Sequence, residues 1–154
     1  MDDLREIEAI KQLKYRYMRC LDQKKWDELR ECFTDDVVTS YGGGKYAFEG
    51  REAVMRFLVD AMGAPSFLSS HRVHHPEITF TDPDTARGIW ALEDTVVDPE
   101  RRFVLQGAAF YEDEYVRQGG RWLIRRTGYE RTFELIEPFD QRPGLSITAG
   151  WPPA

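Results

Sequence analysis

Residues 85–97, TARGIWALEDTVV, decide how this chain is read. The run is β-branched and aromatic, and its apolar residues recur at every second position, as in a strand with one buried face. Successive side chains of a strand point to opposite faces. Trp90, Leu92 and Asp94 therefore share a face, with Glu93 on the other. If the tryptophan is inside, so is a carboxylate.

Working outward, SSHRVHHPEITF (69–80), RFVLQGAAFYEDEYV (102–116) and RWLIRRTGYERTFEL (121–135) have the same strand character. The turns between them, TDPD, DPER and RQGG, suit hairpins, so the second half predicts an antiparallel meander. The first half is helical. Leu4, Ile7, Ile10, Leu13, Tyr17, Cys20 and Leu21 recur at helical spacing. A short helix is predicted in KKWDELRECF (24–33), then a strand in TDDVVTSY (34–41), a turn at Gly42 to Gly44, and a return strand in KYAFEG (45–50). A third helix is predicted in REAVMRFLVDAM (51–62), with Val54, Phe57, Leu58 and Met62 turned inward. Helices followed by a meander make an α+β fold, a curved antiparallel sheet with three N-terminal helices on one face enclosing a pocket. One domain is expected over residues 1–154, its core at about 3–136. The Pro/Gly-rich extension at 137–154 is expected to be irregular, with GWPPA reaching the pocket or a neighbouring subunit.

Hydrophobic residues make up 42% of the 154, enough for a substantial core, and the net charge is −6. An acidic chain lacks the basic patch that a nucleic-acid partner requires. The start, MDDLREIEAI, has neither the basic residues nor the apolar run of a secretory signal, and no run is long enough to span a bilayer. Cys20 and Cys32 lack metal-finger or redox-pair spacing and are expected as buried thiols in a reducing cytoplasm.

Polar residues on apolar faces mark the candidate site. Arg131 shares a face with Tyr129 and Phe133, as Asp94 does with Trp90, and buried charges are costly unless they are paired or put to use. Asp22 falls where the first helix ends, a place the helix dipole disfavours for an anion, unless it caps the next helix. Tyr17 lies on the buried helical stripe. All three histidines fall within five positions, with His71 and His75 on one strand face and His74 on the other. H-x-x-H-H supplies too few converging ligands for a metal centre. His75, before Pro76, is expected in an extended conformation. One pocket-facing imidazole beside a carboxylate is the more economical reading, because the carboxylate fixes the tautomer and raises basicity.

The stretches KYRYMRCLDQKKWDEL, VTSYGGGKYAF, HRVHHPEIT, WALEDTV, GAAFYEDEY and TGYERTFE occur in order over most of residues 5 to 135. Through them the chain resembles the SnoaL-like branch of the nuclear transport factor 2-like superfamily. Scytalone dehydratases, hexachlorocyclohexane dehydrochlorinases, ketosteroid isomerases, polyketide cyclases and dioxygenase small subunits belong there. Within it, the chain is most similar to bacterial bile acid 7α-dehydratases. The resemblance implies a cone-shaped barrel with the site inside, no metal and no organic cofactor. It also implies catalytic roles for Tyr17, Asp22, His71 and Asp94, with His71 oriented by Asp22 or Asp94. Tyr41 and Arg131 are implied to bind substrate, and Trp90, Phe103 and Tyr129 complete the expected wall, with Phe48, Met62 and Phe67 nearby. The implied activity is a cofactor-independent dehydration of a hydroxylated polycyclic carbonyl compound, steroid-like or polyketide-like. An isomerase, a cyclase, a small-molecule binder and a dioxygenase-small-subunit-like protein are the alternatives. The expected partners are a small hydrophobic ring-containing substrate and further copies of the chain, a trimer ahead of a dimer.

Overall fold

A computed structural model describes residues 3–149. Helix α1 (Asp3–Asp22) is followed by α2 (Trp26–Arg30), β1 (Phe33–Tyr41), β2 (Tyr46–Glu49) and α3 (Arg51–Met62). Four long strands follow: β3 (Leu68–Asp82), β4 (Thr85–Asp98), β5 (Phe103–Gln118) and β6 (Arg121–Pro138). They form one curled sheet in the order β2-β1-β6-β5-β4-β3. The hairpin between β5 and β6 turns on Gly119 and Gly120, both at positive φ (56° and 76°). A two-residue turn matched to the twist of paired strands requires that geometry, and only glycine adopts it freely.

Two details depart from the sequence-based expectation. The sheet is not wholly antiparallel, since β1 runs parallel to β6. The meander carries the chain back until its last strand lies beside the first. The two backbones approach closely at Gly128, where any side chain would run into the Ser40 carbonyl. The second helix is also shorter than expected. It stops at Arg30, and Phe33 is already a strand residue paired with Ile124. Beyond a 3-10 turn at Phe139–Gln141, the chain up to residue 149 has no regular element, and the GWPPA segment lies outside the described residues. Among the described residues, no helix is long and apolar enough to cross a membrane.

Helix α1 lies against the concave face. Ile10, Leu13, Tyr17, Cys20 and Leu21 are buried beneath it, as the stripe predicts, and Met18 joins them, whereas Leu4 in the first turn is exposed and Ile7 only half-buried. One member of the stripe is charged. The Lys14 ammonium sits 2.7 Å from Asp113 Oδ2 on β5, and both side chains are wholly inaccessible to solvent. Asp113 also accepts hydrogen bonds from Tyr115 (2.6 Å) and Thr127 (2.6 Å). Lys14 Nζ lies 3.5 Å from the Tyr111 ring centre, so a π face covers the side of the cation that the carboxylate leaves open. Burial lowers the lysine's proton affinity, and Asp113 opposes that effect. Removing one member of a buried pair strands the other charge. Lys14→Ala is therefore expected to lose about 3–5 kcal/mol of stability in urea unfolding. The double change Lys14→Met/Asp113→Leu, which leaves no charge unpaired, should lose less than either single change.

Candidate active site

The last residue of α1, Asp22, is surrounded by donors from β3. Its Oδ1 lies 2.6 Å from His71 Nδ1 and accepts the Ser69 hydroxyl at 2.9 Å, while Oδ2 accepts the backbone N–H of His71 at 2.8 Å. These donors offset the unfavourable position of an anion at a helix C-terminus. Capping of α2 does not explain it, because Lys25 holds that position and no side chain caps the helix. Just past Asp22, Lys25 N–H reaches the Cys20 carbonyl (2.8 Å) and Lys24 N–H the Leu21 carbonyl (3.3 Å), with Lys24 at φ 54°. This helix-ending motif turns the chain sharply and leaves the aspartate facing β3. Nδ1–H donating to Asp22 leaves Nε2 as the basic atom of the His71 ring. Only 10% of the imidazole and 16% of the carboxylate side chain remain accessible.

Asp94 faces His71 across the β3–β4 pairing, but its oxygens are taken by Arg131, through two bonds of 2.8 Å each. The guanidinium reaches β4 by lying across β5 at Gly107, where any side chain would collide with it. Arg131 Nε is also 3.2 Å from Glu134. The bonds to Asp94 raise the arginine's proton affinity further. Asp22, not Asp94, therefore orients the imidazole. Arg131, expected to anchor substrate, is bound to Asp94 and Glu134 across the sheet.

A hollow of about 580 Å³ opens between the concave sheet and α3. Tyr17, Tyr41, Phe103, Tyr111 and Tyr129 line it, with Met62 and Phe67. The Tyr17 and Tyr41 hydroxyls are hydrogen-bonded at 2.9 Å. Burial raises the proton affinity of both phenols, so they stand in the hollow as neutral donors. A second hollow, of about 540 Å³, runs between α1 and β3 and is lined by Asp22, Ser69 and His71. Phe67 borders both. The sequence-predicted residues thus form three groups: the imidazole–carboxylate pair, the phenol pair, and the Asp94–Arg131 bridge. Two expected wall residues stand elsewhere. Trp90 is fully buried in the core, where its indole donates to Tyr115 (2.9 Å). Phe48 stacks behind Phe57, their ring centres 4.5 Å apart.

The other histidines are apart from this arrangement. His74 pairs with Glu93 at 3.0 Å on the exposed face. His75 is not extended. It sits at φ 47° in a register shift between His74 and Glu77, because the proline after it cannot continue the ladder and the strand bulges there. Among the described residues, no group of three or more His, Cys, Asp or Glu could hold a metal ion.

The SnoaL-like domain family matches residues 2–128. The chain belongs to this family. The architecture agrees with solved structures of SnoaL-like and related proteins. One is a scytalone dehydratase-like protein from Novosphingobium aromaticivorans, 22% identical over 97% of this chain and 94% of that one, with a TM-score of 0.80. Another is a type 2 hexachlorocyclohexane dehydrochlorinase, 19% identical over 97% of both chains, with a TM-score of 0.81. A third is the type 3 dehydrochlorinase from Novosphingobium barchaimii, 20% identical over 96% and 97%, with a TM-score of 0.79. At these identities the likeness is one of fold.

Lys14 and Asp113 were missed in the sequence, although the signal was present. Lys14 is four residues past Ile10 on the buried stripe, and Asp113 alternates with Tyr111 and Tyr115 as Asp94 does with Trp90 and Leu92. Four buried phenols, Tyr17, Tyr41, Tyr111 and Tyr115, have their proton affinity raised above the ordinary value of 10.0, chiefly by burial. The unfolded chain therefore loses these protons first as pH rises. The stability they contribute is fully present below pH 10 and declines above it, by roughly 1.4 kcal/mol per pH unit for each phenol. Alkaline titration should show phenolate absorbance of this SnoaL-like protein rising in step with loss of near-ultraviolet circular dichroism. Ionisation of all phenols with the fold intact would contradict their burial.

Proposed function

We propose that this SnoaL-like protein is a dehydratase that removes water from a ring-bearing hydroxy-carbonyl compound by acid–base catalysis from its own side chains. The carrying observation is the 2.6 Å contact between His71 Nδ1 and an Asp22 that two further donors hold in place. A carboxylate so fixed selects the tautomer whose Nε2 is a base and stabilises the imidazolium that forms when a proton is taken. Names of structural neighbours, a dehydratase and a dehydrochlorinase, denote eliminations and support the same class.

In this reading the substrate's rings lie against the aromatic wall, and the reacting carbon sits near Phe67, which borders both hollows. The carbonyl oxygen accepts a hydrogen bond from Tyr17, backed by Tyr41. His71 Nε2 takes the proton from the carbon beside the carbonyl, and the released electron pair forms an enolate held by the phenol. As the enolate collapses, the carbon–oxygen bond to the hydroxyl breaks. The imidazolium returns its proton to that oxygen, so one water leaves and a conjugated carbonyl compound remains. Asp94 serves by holding Arg131 across the sheet.

Hydroxylated polycyclic ketones are the test compounds, followed by the appearance of enone absorbance and a product lighter by one water. An isomerase would give a product of unchanged mass. His71→Ala and Asp22→Asn should each lower turnover by about 10²- to 10⁴-fold, with the fold kept. Turnover of His71→Ala within a few-fold of the parent would end the assignment.

A further inference from the structure

Of the side chains that line the aromatic hollow, one is ionised: Arg101, in the turn between β4 and β5. Its placement is specified rather than incidental. Asp98, at the end of β4, has a side chain only 6% exposed. Its Oδ1 accepts the backbone N–H of Glu100 (3.1 Å) and of Arg101 (3.0 Å), which shapes the turn. Its Oδ2 accepts Arg101 Nη1 at 2.9 Å, which aims the side chain. The arginine side chain remains 72% exposed. A guanidinium carries five N–H donors in a rigid fork, so one bond to Asp98 leaves the others available. The neighbouring charges are accounted for: Glu100 accepts the Ser66 hydroxyl (3.0 Å), and Arg102 pairs with Asp140 (2.9 Å).

The hollow behind it is otherwise built of aromatic and aliphatic surface and neutral phenols. Such a wall favours a ring body and disfavours an ion within it. A negative group on the same ligand must then stay at the mouth, in water and within reach of a cation. Arg131 is not among the residues that line the hollow, and Asp94 and Glu134 already engage its Nη1, Nη2 and Nε donors.

Taking the hollow as the substrate site, the reading proposed above, we infer that its ligand is amphipathic, a ring body ending in a carboxylate, sulfonate or phosphate that Arg101 binds at the mouth. Arg101 is thus a specificity-determining residue, standing away from the His71–Asp22 pair.

Two fluorescent probes with the same ring body test this. One is anilinonaphthalene sulfonate, and the other is its uncharged parent, N-phenyl-1-naphthylamine. The protein should bind the sulfonate more tightly than the parent, and added salt should narrow the difference, because the cation is exposed. Arg101→Gln should weaken sulfonate binding about five- to tenfold, the worth of one part-exposed charge-assisted hydrogen bond, and leave the neutral probe within about twofold. Arg101→Lys should fall between. Ala61→Trp, which fills the hollow, should weaken both probes and so locate them. The inference is overturned if Arg101→Gln leaves the sulfonate unchanged, if it weakens both probes equally, or if Ala61→Trp displaces neither. None of these readouts needs turnover, so a failed dehydratase assay and a failed charge preference remain separate results.

Discussion

The rotation of α1 about its own axis decides where Tyr17 and Asp22 stand, and the buried pair of Lys14 and Asp113 fixes that rotation. A cation with no access to water has one acceptable position, against its carboxylate and beneath the Tyr111 ring. Once residue 14 is fixed, helical geometry carries Tyr17 onto the aromatic hollow one turn later. Two turns later it carries Asp22 to β3. A slide of α1 by one residue would separate the imidazole from its carboxylate and the Tyr17 phenol from its Tyr41 partner.

Much of this was legible in the chain because it rests on periodicity. Alternation about Trp90 gave β4 its faces, and helical spacing from Ile10 to Leu21 gave α1 its buried side. The same rule placed Asp94 and Arg131 on the interior, where they meet, but it failed for Phe133, which a register shift opposite Ala108 and Ala109 leaves exposed. Distances across the fold carried no such mark. Nothing local tells whether Asp22 or Asp94 supports His71, since the answer depends on a turn at Lys24 and on an arginine arriving over Gly107 from two strands away. Trp90 was assigned to the correct face but the wrong depth. Facing inward is a property of the strand, whereas reaching a cavity depends on what lies above. The conformation of His75 was misjudged for a related reason: the restriction that proline imposes on its predecessor yielded to the pairing of the surrounding ladder.

Charge is distributed sparingly around the candidate site. Asp113 answers Lys14, Asp94 answers Arg131, Asp98 answers Arg101, and Asp22 answers an imidazole that carries charge only when protonated. The first two pairs build the frame, and the third orients a cation at the rim. The fourth joins a carboxylate to a ring that can hold or release a proton, and on it the proposed chemistry rests.

The bulge at His75 bears on assembly as well as on local shape. Strand β3, of 15 residues, is the outer strand at one side of the sheet, and along its outer margin Asp22 takes the His71 N–H. Where such a margin is open, it invites a foreign strand to add itself. Pro76 withholds a donor midway, and the left-handed residue before it bends the run out of line. Each uninterrupted stretch is thereby shortened, which makes the strand that carries His71 a poorer template for a foreign strand.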